Sequence, residues 1–410
     1  MGRAGPAPGF GQGWAARPCR AAVRCVRQGR RGRDFGPSGN LDTMSTSVDR
    51  VRPTHWASFV PVLALVLLAF SWGREMPGPV VALLAVFLGG AVLAAVHHAE
   101  VVAHRVGEPF GSLVLAVAVT IIEVALIVTL MADGGEKSAS LARDTVFAAV
   151  MITLNGIVGI SLLVGSLKRR VAVFNPEGSV AAFGAVATLA GLSLALPTFT
   201  TSTPKAEFTP TQLVFAAIAA VFVYGLFVVT QTVRHRDYFL PVTQQGEVID
   251  EDEHADPPPA KVALISLALL AVSLVAVVGL AKGVSPTIEK GVEAAGLPAS
   301  VVGVIIALLV LLPESIAAVR AAKRDRVQTS LNLGLGSAMA SIGLTIPAVA
   351  LASVWMEGPL LLGLGATHMV LLALTVAVGT LTFVPGRATP LQGGVHLSLF
   401  AAYLVLAVSP

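Results

Sequence analysis

The chain has 410 residues, of which 55% are hydrophobic and only 13% charged. Soluble domains carry about 25% charged residues, so long apolar runs with so few charges exclude an ordinary water-soluble domain and make lipid the solvent. The net charge of +4 does not argue for nucleic acid. Ten of the 28 Lys and Arg precede residue 53, and most others lie between apolar runs, where they set membrane orientation.

Residues 1–55 are rich in Arg, Gly and Pro, with almost no apolar periodicity, and are expected to be disordered. They lack the apolar core of a secretory signal. Met44, which opens MSTSVDRVRPTHW, is an alternative start leading directly into the first apolar run. Cys19 and Cys25 both fall in this extension, so no disulfide or Cys-based metal site supports the rest.

Apolar runs follow at 56–73, 79–96, 111–132, 143–166, 179–197, 211–233, 261–281, 299–319, 328–354, 359–383 and 390–409. Each suits a hydrocarbon core that needs about 20 helical residues, and they are too continuous for the short alternating strands of a β-barrel. The expected fold class is therefore an all-α polytopic membrane protein with eleven spans. With the N-terminus in the cytoplasm, eleven Lys and Arg of the loops fall inside and six outside, besides the ten N-terminal ones. Positive charge prefers the inside, which favours that topology.

The segment 234–260 is long and carries the acidic run Glu247, Asp250, Glu251, Asp252, Glu253 and Asp256, followed by three prolines. It reads as a cytoplasmic linker. It divides an extra helix (56–73) and five spans (79–233) from five more (261–409). An odd number of spans per half inverts the second half relative to the first.

Two matches relate the halves. Glu123 in span 3 and Glu314 in span 8 sit at similar places, and Pro313 precedes the second. TLNGIVG in span 4 (Thr153, Asn155, Gly159) matches SLNLGLG in span 9 (Ser330, Asn332, Gly336) as [ST]-L-N-x-x-x-G. A charge at the bilayer centre costs at least ~2.5 kcal/mol, so such residues usually face a wet cavity and act in function. One glutamate can serve packing alone; two at matching positions argue for a shared mid-depth site. Carboxylates, amide oxygens and hydroxyls are hard ligands for Ca²⁺, Na⁺ or Mg²⁺. Glu123, Glu314, Asn155, Asn332 and Ser337 are the expected cation ligands, with Thr120, Thr153, Ser330 and Ser341 as nearby hydroxyls. Pro313 removes a backbone donor and is expected to disrupt the turn before Glu314, freeing a carbonyl. Emptied of cation, two close carboxylates in a dry place favour proton uptake. One site then holds cation or protons, which suffices for antiport without a cofactor or enzyme chemistry. His97, Glu100 and His104 share a helical face after span 2, a candidate entry point for protons or metal.

At GEPFGSLVLAVAVTIIEVALIVTLM (107–131), RDTVFAAVMITLNGIVG (143–159), HRDYF (235–239) and PESIAAVRAAKRDRVQTSLNLGLGSAMASIGLTIPA (313–348), the sequence resembles the calcium/cation antiporter superfamily. Within it the chain is similar to the bacterial sodium/calcium–proton antiporters of the Cha type. The resemblance covers about residues 55–409. It implies one extra helix plus two inverted five-helix repeats, whose glutamates, Glu123 and Glu314 here, bind the cation. It also implies exchange of Ca²⁺ for H⁺, with Na⁺ or K⁺ for H⁺ as the rival, in the inner membrane of a bacterium. The chain departs from the vacuolar-type GNxxE pattern: Val119 and Thr120 precede Glu123, and Val310 and Leu311 precede Glu314. The related GSxxQ appears as Gly336, Ser337 and Ala340. A channel would show a pore loop or charged ring, and an intramembrane enzyme a catalytic motif; neither pattern occurs.

Overall fold

The computed structural model describes residues 55–409 except 75, 108–109, 135–138, 204–205, 244–256 and 357. The expectations placed on the N-terminal extension and on the acidic run therefore lie outside the described residues. Among the described residues, ten helices are long and apolar enough to cross a membrane, and Trp56–Ser71 is a shorter apolar one. In hydrocarbon every backbone group must be satisfied within its own segment, which is why apolar runs of this length become helices.

The helices are α1 (His55–Ser71), α2 (Gly78–Val106), α3 (Phe110–Gly134), α4 (Leu141–Met151), α5 (Val158–Arg169), α6 (Pro176–Ala190), α7 (Pro210–Val229), α8 (Ala260–Ala294), α9 (Ser300–Lys323), α10 (Val327–Ala340), α11 (Ile346–Ala352), α12 (Ala366–Phe383) and α13 (Pro390–Val408). A wide π turn, Ile152–Ile157, joins α4 to α5 in one span, and another, Ser341–Thr345, joins α10 to α11. The five spans from α2 to α7 repeat as the five from α8 to α13. The two first helices, α2 and α8, pack along each other; α13 lies on α5 as α7 lies on α11. α1 rests on both α2 and α8. A short antiparallel ladder, β1 (Ala172–Val173) with β2 (Arg387–Ala388), links the turns ahead of α6 and α13.

Three segments differ from the sequence expectation. α2 runs to Val106, so His97, Glu100 and His104 lie on the helix rather than after it. α8 has 35 residues, about 52 Å at 1.5 Å each, and overshoots a ~30 Å core; Lys282 and Lys290 lie on this extension, not in a loop. The tenth span starts at Ala366, not 359. Residues 358–365, GPLLLGLG, form an extended strap in which three glycines and Pro359 oppose helix formation. Its backbone is hydrogen-bonded instead to segments of the first half: Leu361 N to Ala139 O (3.0 Å), Gly363 N to Ala206 O (2.9 Å) and Leu364 N to Leu194 O (2.9 Å).

The span through α4 and α5 is the most enclosed, while α7 and α8 carry many exposed apolar side chains, among them Phe215, Ile218, Phe222, Leu264 and Val275. Such a surface fits lipid tails. Helix crossings use small residues, as expected where no hydrophobic gain separates helix from lipid. At Gly303 of α9 a Cβ would lie 2.9 Å from Thr145 N and 3.0 Å from the Asp144 carbonyl carbon, so α9 lies directly on the α4 backbone.

Candidate functional site

α3 and α9 bring Glu123 and Glu314 into one cavity of about 220 Å³. Glu123 is the fourteenth residue of α3 and Glu314 the fifteenth of α9, so helices of opposite direction carry the two carboxylates to the same depth. Both are buried. The Ser341 hydroxyl donates to Glu123 Oε1 at 2.7 Å. Thr345, on the same π turn, presents a further hydroxyl toward Glu123 but outside hydrogen-bond geometry. Glu314 Oε2 has no hydrogen-bond partner among the described residues. The two carboxylates are within electrostatic reach of each other, and Glu100 of α2 is within reach of Glu314 and of Arg320.

Ser337, Thr120 and Asn332 also line the cavity, and no Lys, Arg or His does so among the described residues. The uncompensated carboxylates are thus accessible to a small cation. From the glutamates the cavity extends toward Thr329 and Asn332 near the start of α10, and toward Gln231 and Thr232 after α7. That is the side of the linker between the halves. On the opposite side lie the strap 358–365 and the Arg143–Asp144 ion pair (2.8 Å), from which Arg143 Nη1 also reaches Gly363 O (3.1 Å).

The other expected polar residues are engaged in hydrogen bonds of their own. Asn332 borders the cavity, but its amide is engaged: Nδ2 donates to Phe239 O (2.6 Å) and Oδ1 accepts from Gln328 (2.9 Å). It therefore ties the HRDYF turn to the cavity wall. Asn155 does not line the cavity; its side chain bonds Thr375 (2.9 Å) and His396 (3.1 Å). Thr153 bonds back to Ala149 O (2.7 Å), and Ser330 bonds Ser161 and Ala318 O, both at 2.6 Å. α9 continues through Pro313 without a break in the helix, although proline offers no N–H to the carbonyl of Leu309 four residues earlier. On α2, His98 rather than His97 is buried, and its Nε2 meets Ala57 O at 2.9 Å, fastening α1.

Counting from the helix starts gives the halves a different register from that of the S-L-N match. Asn155 lies fourteen residues beyond the first residue of α4, Leu141; fourteen beyond Val327, which opens α10, is Ser341, not Asn332. Both Asn155 and Ser341 fall on π turns. The S-L-N match therefore joins positions nine residues apart in the fold. Tyr224, Gln231 and Thr329 are lining residues that sequence reasoning missed. Of these only Gln231, a polar residue at the end of an apolar run, carried a signal.

Residues 78–233 and 265–409 match the family described as sodium/calcium exchanger protein, and the gap between them falls on the linker. The chain is 46% identical over 371 residues to the putative ionic transporter y4hA of Sinorhizobium fredii, covering 88% of this chain and 99% of that protein. It is 36% identical over 368 residues to the sodium-potassium/proton antiporter ChaA of Escherichia coli, with the same coverage. Among solved structures, the fold is similar to that of the H⁺/Ca²⁺ exchanger CAX, with a TM-score of 0.64 at 17% identity over 85% of this chain and 86% of the other.

Proposed function

Because the chain belongs to the sodium/calcium exchanger protein family, we propose that it exchanges a metal cation for protons by alternating access at the Glu123–Glu314 cavity, with Ca²⁺ as the cation that the site suits best. One observation carries the reading: each half supplies one buried carboxylate to a single cavity that no basic side chain lines among the described residues. Two carboxylates match the charge of one divalent cation, and hard oxygens suit Ca²⁺. With the cation gone, two like charges in a poorly solvated place are relieved by protons. Glu314 Oε2, which has no partner among the described residues, and Glu123, held at Oε1 by Ser341, are the oxygens that would change occupant. Cation and protons then exclude each other, and coupling follows from the shared ligands.

The linker side carries most of the basic loop residues, so the positive-inside rule places it in the cytoplasm. On this reading the structure is open to the cytoplasm and sealed outside by the strap. An inward proton gradient across a bacterial plasma membrane would then drive cation export.

A second reading, Na⁺ or K⁺ for H⁺ on the same scaffold, is favoured by a specific feature. The amides of Asn155 and Asn332 are engaged elsewhere, which leaves few neutral oxygens for a divalent ion. The 36%-identical relative is named a sodium-potassium/proton antiporter.

The test is proton flux in inverted vesicles under an imposed pH gradient, with Ca²⁺, Na⁺, K⁺ and Mg²⁺ added separately. In wild type Ca²⁺ collapses the gradient, and Glu123→Gln and Glu314→Gln each abolish the response. Half-saturating cation rises as pH falls, by about tenfold per unit for each proton displaced. Exchange that survives in both variants overturns the site; a response to Na⁺ or K⁺ alone selects the second reading.

A further inference from the structure

A buried polar chain runs beside the cavity without lining it. Its hydrogen-bond directions follow from one end. The Thr375 hydroxyl donates to Leu371 O (2.8 Å), so toward Asn155 it accepts, from Nδ2 at 2.9 Å. Asn155 Oδ1 is then the acceptor facing His396 Nδ1 at 3.1 Å, so Nδ1 carries the hydrogen, with the Leu154 carbonyl also close by. Nε2 of the neutral ring accepts from Thr382 Oγ1 at 3.2 Å. Asn155, Thr375, Thr382 and His396 are all at most 1% exposed. The second amide hydrogen of Asn155 faces Met151 Sδ at 3.6 Å. Every polar group of Asn155 is thereby occupied.

The backbone holds this arrangement in place. On Gly393, three residues before His396, a Cβ would meet Leu163 N at 2.7 Å and Gly159 O at 2.9 Å. α13 thus lies directly on α5 and sets the imidazole against the π turn that bears Asn155.

Counted from the first residues of α4 and α10, Asn155 stands in the first half where Ser341 stands in the second, and each falls on a π turn. Ser341 bonds Glu123, the carboxylate of the opposite half. The inverted counterpart of that bond joins Asn155 to Glu314. Here it is absent: Asn155 is held by His396 and Thr375, and Glu314 Oε2 has no partner among the described residues.

We propose that His396 is a positioning residue of the exchange: it withholds the Asn155 carboxamide from the cation site and so sets the number of oxygen ligands, and with it the discrimination between divalent and monovalent cations. The inference rests on the reading of the site given above. With Asn155 released, the site gains a neutral carbonyl oxygen, which a divalent ion with its larger ligand number uses more than Na⁺ does. His396 does not line the cavity and acts only through Asn155.

The experiment measures half-saturation and maximal rate for Ca²⁺ and Na⁺ in proton-loaded vesicles. The variants are His396→Leu, His396→Asn, Asn155→Ala and the His396→Leu/Asn155→Ala pair. Leucine keeps the apolar bulk and removes the donor; asparagine keeps a donor at the position of Nδ1. His396→Leu is expected to lower half-saturating Ca²⁺ about tenfold relative to Na⁺ and to slow turnover, with His396→Asn restoring both. In the Asn155→Ala background His396→Leu is expected to add no further change. Thr375→Val, which removes the other hold on Asn155, should shift the same ratio in the same direction and stands in if His396→Leu does not fold. An unchanged Ca²⁺/Na⁺ ratio, equal impairment of the leucine and asparagine variants, or an effect of His396→Leu that persists without Asn155 overturns the inference while the two-carboxylate site stands. A wild type that moves protons in response to neither cation overturns the reading of the site, and the inference with it.

Discussion

Ser341 orients one of the two carboxylates and belongs to the half opposite the one that supplies Glu123. A hydroxyl bond to a charged group contributes about 1.5–3 kcal/mol. Ser341→Ala is therefore expected to weaken cation half-saturation by roughly ten- to a hundredfold, with Ser341→Thr close to wild type; vesicle flux titrated with cation reads the difference. The two glutamates were legible in the sequence because charge within an apolar run is costly and rarely idle. Ser341 was legible only as a hydroxyl nearby. Its partner is chosen by how α10 lies against α3, which no local pattern encodes. Asn155 is the opposite case. Its residue type suits a cation ligand, yet a buried amide bonds whatever the fold sets beside it, and here that is Thr375 and His396 from helices more than 200 residues away.

At the scale of elements, the spans could be read from length and apolarity, since a bilayer imposes both. The strap 358–365 could not, because PLLLGLG is as apolar as a helix and only its glycines and proline speak against one. The π turns leave no mark in composition. Without them the S-L-N match was free to slide nine residues. A better register mark was present: α7 and α13, the last helices of the two halves, both begin Thr-Pro-x-Gln, at 209–212 and 389–392. In each, the Gln side chain accepts from the Thr backbone N–H, at 2.9 Å and 2.8 Å, and Pro takes the first helical position. Helix crossings yield a further test. Gly303→Val forces α9 off the α4 backbone, at a cost of about 1–3 kcal/mol. Gly283 on α8 has nothing within 4 Å of an added Cβ, so Gly283→Val is the matched control. Thermal unfolding in detergent is expected to show a lower Tm for Gly303→Val alone.

At the scale of the whole molecule, the cavity reaches one side, and the other is closed by backbone bonds between the strap and segments of the first half. If alternation opens that closed side, fixing it should stop exchange. Ala139 and Leu361 share a 3.0 Å backbone bond, which makes them the pair to cross-link. In a chain with Cys19 and Cys25 replaced, Ala139→Cys/Leu361→Cys is expected to lose vesicle flux on oxidation and regain it with reductant, while either single variant is indifferent to both treatments. On the proposed mechanism the difference between the halves would have a kinetic consequence. One half answers the opposite carboxylate with a serine and the other carries an asparagine at the same place. If the cavity alternates between the two faces of the membrane, halves that differ in this way would grip the cation unequally from them. Detailed balance forbids any net movement from that inequality, so the ratio of affinities must be repaid in the rates at which loaded and empty carriers turn over. Such a carrier runs faster in one direction than in the other under mirror-image gradients, yet comes to rest at the same equilibrium.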